Sequence, residues 1–315
     1  MAKIKKTSTS QNTSKTFRIP NKIHRQAHNI RIKSALATSK RKEKFDRKKA
    51  ESKDPSLREA RLATNLPDTI ERKRLWDEPM QATLADDAET ASLFPTLNRP
   101  PTGPPRILLT TSRFNHTHDQ AEELANLFPN TTYVPRHNDL GIVEIAKVAS
   151  NPTTIDPETG EVRKPYSHLI VANVESKVID ALTIIVLPAG PTFRFSVSSY
   201  VPAKRISGHG RPTSHIPELI LNNFLTPLGK TTAGLFQSLF PQQPEFRGRQ
   251  VVTLHNQRDF IFFRRHRYGL GVRVGLQEIG PKFTMKLRRV ERGIKKDTVF
   301  EWKGRMDRIR TKFQL

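Results

Sequence analysis

Between residues 106 and 290 short apolar runs recur at strand length with stretches of helical spacing between them, and this rhythm restricts the possible folds more than any other property of the chain. HLIVAN (168–173) and ALTIIVLP (181–188) are near-continuous apolar segments. They fall far short of the roughly 20 residues a bilayer-spanning helix requires, and they predict strands covered on both faces. RILLTT (106–111), TTYVP (131–135) and FRFSV (193–197) predict further strands, the last alternating as a strand with one wet face does. Leu124, Ala125, Leu127 and Phe128 line a helix that Thr117 or His118 caps and Pro129 stops, and Ile142, Ile145, Ala146 and Val148 repeat helical spacing over 141–149. Strands interleaved with helices predict an α/β architecture.

The second half replays this order. IPELILNNF (216–224) sets Ile216, Leu219, Ile220 and Phe224 on one helical side, PLGKTTAGLFQSLFP (227–241) predicts another helix, and strands follow at 250–255, 259–268, 271–279 and 282–290. GPTFRFSV (190–197) and GPKFTMKL (280–287) align without a gap, sharing Gly, Pro and Phe before alternating. A Gly-Pro pair sets a turn and the Phe after it is placed to enter a core. An internal duplication into halves of about 106–200 and 210–290 is the simplest explanation; chance is the other.

Residues 1–105 read as an extension ending in a linker of Pro95, Pro100, Pro101, Pro104 and Pro105. The stretch 1–22 has almost nothing to bury and is expected to be disordered when unbound. From 22 to 49 Gly and Pro vanish, which predicts a basic helix able to order on RNA. Trp76 and Met80 either anchor part of the extension or sit in a loop. Residues 106–293 form the folded domain, and 294–315 a basic tail in which Phe300, Trp302 and Phe313 either dock locally or meet a partner.

Charge narrows the function. The chain carries 54 Lys and Arg against 30 Asp and Glu, a formal net charge of +24. Residues 1–54 hold 17 basic and 4 acidic side chains and residues 249–312 hold 18 and 6, whereas 79–97 carries only acidic ones. A polyanion releases counterions on such surfaces, so nucleic acid is the first partner to consider and an anionic membrane the second. There is no cysteine, which excludes disulfides and cysteine-based metal sites or nucleophiles. The N-terminus lacks the apolar core of a secretory signal, so a soluble, intracellular protein is expected. SKRKEKFDRKK (39–49) reads as a nuclear or nucleolar address or as an RNA-binding arm.

Catalytic signatures are weak. His116 and His118 are spaced as a strand pair at a helix start, where a capping turn explains them, and His215, His255 and His266 lack carboxylates at ligand spacing. LGKTTAG (228–234) lacks the upstream glycine of a phosphate loop. SGHGRPTSH (207–215) is a better anion site, expected to meet an RNA phosphate at the N-terminus of a helix beginning at Ile216. No GxSxG occurs, and Asp139, Glu144, Glu175 and Asp180 read as solvated surface. No enzyme, metal or cofactor is expected.

The basic-aromatic segment 246–271 carries the strongest signal. If Phe260, Phe262 and Arg264 face one way, Ile261, Phe263 and Arg265 face the other, so both faces of one strand end in guanidinium groups. His266 and Tyr268 either stack on bases or belong to the rim. The candidate RNA-binding residues are Lys204, Arg205, Arg211, Arg247, Arg249, Arg258, Arg264, Arg265, Arg267, Lys282, Arg288 and Arg289.

ILLTTSR (107–113), HIPELILNNFLTPLG (215–229), SLFPQQPEFRGRQVVTLHNQRDFIFFRRHRY (238–268) and LQEIGPKFTMKLRRVERG (276–293) resemble the Brix-domain ribosome biogenesis proteins, and with the intervening elements the resemblance covers nearly all of 106–293 and extends to the KFQL end. It implies an internally duplicated α/β domain, each half resembling an anticodon-binding domain, with long basic extensions. It further implies a non-catalytic factor acting in the nucleus and nucleolus on early precursors of the large (60S) subunit. Its expected partners are pre-ribosomal RNA, a small ribosome assembly factor as heterodimer partner and other pre-60S proteins, with no membrane and no DNA specificity. Residues 280–287 match what the family calls a sigma-like motif. Asn151 to Glu161 lie outside the matching blocks. Two other readings stay open: a protein-interaction scaffold that touches RNA only through its extensions, and an RNA-processing enzyme.

Overall fold

The computed structural model describes residues 20–64, 94, 97, 103–115, 118–151, 165–176, 178–269, 275–308 and 312–315. Trp76, Met80, His116, Thr117 and the expected disorder before residue 20 lie outside the described residues. The chain divides into two units, residues 1–69 and 70–315.

The first unit contains α1 (Lys22–Lys53) and α2 (Pro55–Thr64). The Asn21 side chain caps α1, accepting from the Ile23 amide at 2.9 Å. Pro55 ends it, because a residue before proline is pushed out of the helical region and Asp54 is extended there. Arg61 of α2 reaches back to Glu51 at 2.5 Å and holds that carboxyl below the usual carboxylate range. No residue of α1 is buried, and its twelve Lys and Arg, set against three acidic residues, are exposed.

The second unit is built on one mixed sheet. Its elements are β1 (Ile107–Thr111), α3 (Asp119–Ala125), β2 (Thr131–Tyr133), α4 (Ile142–Ser150), β3 (His168–Glu175), β4 (Val178–Val186), β5 (Thr192–Val201), β6 (Glu218–Asn222), α5 (Pro227–Ser238), β7 (Gln250–Gln257), β8 (Phe260–Gly269), β9 (Gly275–Glu278), β10 (Lys282–Glu291) and β11 (Thr298–Glu301). The order across the sheet is β2-β1-β3-β4-β5-β10-β8-β7-β6, with β11 paired to β10 and β9 to β8. β1 runs parallel to β2 and β3, β6 runs parallel to β7, and the other pairs are antiparallel. Thus β1-β3-β4-β5 and β6-β7-β8-β10 follow the same sequence of one parallel and two antiparallel pairings, and β5 meets β10 at mid-sheet.

The segment 216–224 is not a helix. Glu218–Asn222 is a parallel strand beside β7, with Leu219 and Leu221 packed on the core. A period-two pattern fits this short run as well as helical spacing does, and the vacant edge of β7 decides between them. Asn223, at φ +66°, closes the strand by exchanging two bonds with Asn256: its side-chain amide donates to the Asn256 backbone carbonyl at 2.7 Å, and its own backbone carbonyl accepts from the Asn256 side-chain amide at 2.9 Å.

One sheet face is fully covered. Leu124, Leu127, Leu235, Phe236 and Leu239 of α3, α5 and the turns after them pack on Ile107, Ile170, Ile184, Phe193, Phe195, Val252, Phe263, Phe283 and Leu287. Phe263 and Phe283 stack with centroids 4.6 Å apart. Phe94 and Leu97, from the stretch read as linker, also belong here, Phe94 lying 6.3 Å from Phe193. The other face is covered only over β1, β3 and β4, where Ala146 and Ala149 of α4 meet Leu169, Val171 and Ile185. From β5 to β6 no helix covers this second face; the segment after β11 lies over Lys286 of β10, and Arg194 and Phe260 remain exposed.

The two Gly-Pro blocks enter β5 and β10 through tight turns. A Cβ on Gly190 (φ +110°) would lie 2.7 Å from the Arg292 carbonyl oxygen, and one on Gly280 (φ +68°) 2.6 Å from Ile206 Cδ1, so both positions need glycine. The tail docks locally: Phe313 and Leu315 are buried, and the amides of Gln314 and Leu315 donate to the buried Asp259 at 2.6 and 2.9 Å.

Candidate nucleic-acid interface

Alternation along the central strands decides which side chains reach the open face. On β5, Phe193, Phe195 and Val197 enter the core while Arg194, Ser196 and Ser198 point the other way. On β10, Phe283, Met285 and Leu287 enter the core, leaving Thr284, Lys286 and Arg288 opposite; an irregularity between Leu287 and Arg289 then places Arg289 across from Arg194. On β8, Phe260, Phe262 and Arg264 share this face, with Phe260 41% exposed.

The arginines here are positioned, not merely present. Arg264 Nη1 donates to the Phe263 and Phe283 carbonyls at 2.8 and 3.1 Å, and its guanidinium lies 5.8 Å from the Phe262 ring centroid. Arg288 Nε donates to Ser196 Oγ at 2.8 Å. Lys286 is withdrawn from solvent: its ammonium lies 2.8 Å from Asp307 Oδ1 and 4.0 Å over the Trp302 ring, and this contact holds the Asp307 carboxyl below its ordinary range. The face therefore offers guanidinium groups beside aromatic rings, the combination on which phosphates and unstacked bases are held.

A second group lies at the sheet end where β5 stops, β8 ends and β7 and β10 begin. Lys204 and Arg205 are exposed in the turn after β5, Arg211 is exposed, and Arg247 and Arg249 flank a short turn at Phe246–Gly248. Arg267 is exposed near them in register with Gln250, and Lys282 pairs with Glu278 at 2.9 Å. Arg258 stands at the far end, in the β7-β8 turn. The 246–271 cluster is thus divided among both ends and the middle of one hairpin.

Two expectations are corrected. Arg265 is only 5% exposed: its guanidinium donates to the Asn126 carbonyl at 3.1 Å and to Gln250 Oε1 at 2.7 Å, and burial lowers its pKa. It holds β7, β8 and the end of α3 together and is not available to RNA. The loop 207–214 does not abut a helix N-terminus, because a strand follows it. It is pinned instead by Gly210 N donating to the Glu278 carbonyl and by Gln250 Nε2 donating to the Thr213 carbonyl at 3.0 Å.

Sequence reasoning passed over Arg194 and Lys286. The signal was available, since both occupy polar positions of the alternating Gly-Pro blocks. His118, at the start of α3, makes no side-chain capping bond and contacts Tyr133 Oη at 2.6 Å. Among the described residues no group of three or more His, Asp or Glu is placed to hold a metal, and no helix is long and apolar enough to cross a membrane.

A different surface lies at the other edge. Val134, Leu140, Val148 and Tyr166 line an apolar groove of about 370 Å³ between α4 and β1.

Comparison with known proteins places this architecture. The Brix domain family matches residues 111–289, and the chain belongs to that family. It is 43% identical over 301 residues to ribosome production factor 1 of Saccharomyces cerevisiae, covering 94% of this chain and 97% of the relative. A Brix domain-containing protein of Schizosaccharomyces pombe is 41% identical (88% and 91% covered), and ribosome production factor 1 of Mus musculus 38% (87% and 79%). Among solved structures, a probable ribosomal biogenesis protein from Aeropyrum pernix K1 is similar at 14% identity, TM-score 0.38, over 58% of this chain and 96% of that one.

Proposed function

We propose that this protein is a non-catalytic ribosome biogenesis factor that binds pre-ribosomal RNA on the open face of its sheet during early maturation of the large subunit, in the nucleolus. The names of its relatives support the ribosomal setting. The observation that carries the RNA reading is the arrangement of Arg264 over Phe262 beside exposed Phe260, with Arg194, Arg288 and Arg289 on the neighbouring strands of the same helix-free part of the face. The exposed basic helix α1 supplies a second, sequence-independent attraction for phosphate. The repeated strand order and the paired Gly-Pro blocks favour an internal duplication, and the family resemblance relates each half to anticodon-binding domains.

A protein partner is favoured by the apolar groove beside α4, whose Val148 is 63% exposed. A small assembly factor bound there as a heterodimer fits this reading.

Filter binding of a large-subunit precursor RNA across a salt series tests the proposal. Affinity falls steeply with salt, and Arg264→Ala lowers both affinity and the magnitude of the slope by about one phosphate contact. Binding that ignores both salt and Arg264 would return the domain to a purely protein-binding role.

A further inference from the structure

Arg194 on β5 and Arg289 on β10 are direct cross-strand neighbours in the antiparallel register. Like charges set opposite one another in a sheet are destabilising unless something compensates them. One carboxylate does so in part: Glu291, only 8% exposed, lies 2.8 Å from Arg289 Nε. Arg289 Nη2 is further occupied by Thr298 Oγ1 at 2.6 Å. The Arg194 side chain makes no hydrogen bond or ion pair with the described residues, and Lys295 lines the same hollow. Three cations thus surround a single carboxylate, an excess that favours an anion.

The hollow is a cavity of about 310 Å³, at the small end of ligand pockets. Its chemistry is divided. The arginines stand on one side, and Ile142 of α4, Val171 and Ile185 form an apolar wall on the other. Thr183 and Asn173 add a hydroxyl and an amide between them.

We infer that this pocket is a single-nucleotide subsite of the RNA face: the phosphate lies against Arg194 and the outer edge of Arg289, and the attached base, turned out of its stack, lies against Ile142 with Thr183 and Asn173 at its polar edge. A bare phosphate or an acidic side chain would use only the charged half and leave the apolar wall dry and unfilled. A flat heterocycle with hydrogen-bonding edges uses both. The inference rests on the RNA reading above and gives it a place for base recognition, distinct from Arg264.

The test uses the full chain and a short fluorescent single-stranded oligoribonucleotide, read by anisotropy. Arg194→Gln weakens binding about tenfold with an unchanged melting temperature. Thr183→Leu, which fills the cavity, weakens it comparably, but leaves the affinity for an abasic oligonucleotide of the same length unaltered. Adenosine or uridine monophosphate competes at concentrations where inorganic phosphate does not. If Arg264→Ala weakens binding while Arg194→Gln and Thr183→Leu do not, the pocket is no subsite although the RNA face stands. If the unaltered protein binds no oligonucleotide, the RNA reading itself fails and takes the pocket with it. Displacement of the RNA by a phosphoserine peptide more readily than by a nucleotide would overturn the proposal in favour of a peptide site.

Discussion

Arg265 donates to Gln250 Oε1 at 2.7 Å across the β7-β8 pair, and through Asn126 it joins the hairpin to the end of α3. One residue earlier, Arg264 lies on the opposite face of the same strand. Two adjacent arginines therefore have different work. Arg265→Met leaves Gln250 and the Asn126 carbonyl without their donor and destabilises the domain by about 2–4 kcal/mol. Arg264→Ala leaves the melting temperature within a few degrees of the original and acts on RNA affinity. Thermal denaturation of the two variants side by side separates these roles; equal melting temperatures contradict them.

Lys286→Met keeps the bulk of the side chain but removes the charge that Trp302 and Asp307 enclose. The segment that follows β11 then loosens over the face. In a Trp76→Phe background, Trp302 emission shifts to the red and becomes more open to acrylamide quenching. Unchanged emission would show that other contacts hold the segment. The depressed Asp307 carboxyl sets the sign of the pH response: the contact is fully present above the ordinary Asp range and is lost only as pH falls through the lower value of the folded state.

His168 is buried between Ser167 Oγ and Ser238 Oγ, each 2.9 Å from a ring nitrogen, and burial lowers its pKa from 6.5 to about 4. The unfolded chain therefore takes up a proton that the fold refuses. Stability from this group is intact above pH 6.5 and declines as pH falls toward about 4, by a total on the order of 3 kcal/mol. Urea denaturation between pH 7.5 and 4.5 shows this slope in the parent, and His168→Gln, although less stable throughout, shows a shallower one.

Deleting residues 312–315 removes Phe313 and Leu315 from the core and strips the buried Asp259 of two amide donors. The loss is about 3–5 kcal/mol. Asp259→Ala, measured by the same denaturation, reproduces part of it, because both changes break one contact. Additive losses from the two changes combined would mean the contact is not shared.

The strands were legible wherever apolar runs were long, as at His168 to Glu175, because a buried strand has little chemical freedom. The helix Pro227–Ser238 was equally plain, with Thr226 accepting from the Gly229 amide at 2.9 Å and Pro227 at its first position. The segment at Ile216 was misread because nine residues satisfy both periods and the choice rests with β7, more than 30 positions away in sequence. In β8 the alternation itself was correct. Which face was core was hidden because Phe262 and Phe263 are equally apolar, and only the stacking of Phe263 on Phe283 decides it. The pairing of Arg194 with Arg289 required knowing that the two Gly-Pro blocks meet antiparallel.

Ultraviolet crosslinking of the protein to RNA in purified large-subunit precursors, with the modified peptides identified by mass spectrometry, tests the central claim most directly. Crosslinks at Phe260, Phe262 and the neighbouring positions of β5 and β10 are the predicted result. Crosslinks confined to residues 1–64, with none on the sheet, would contradict it.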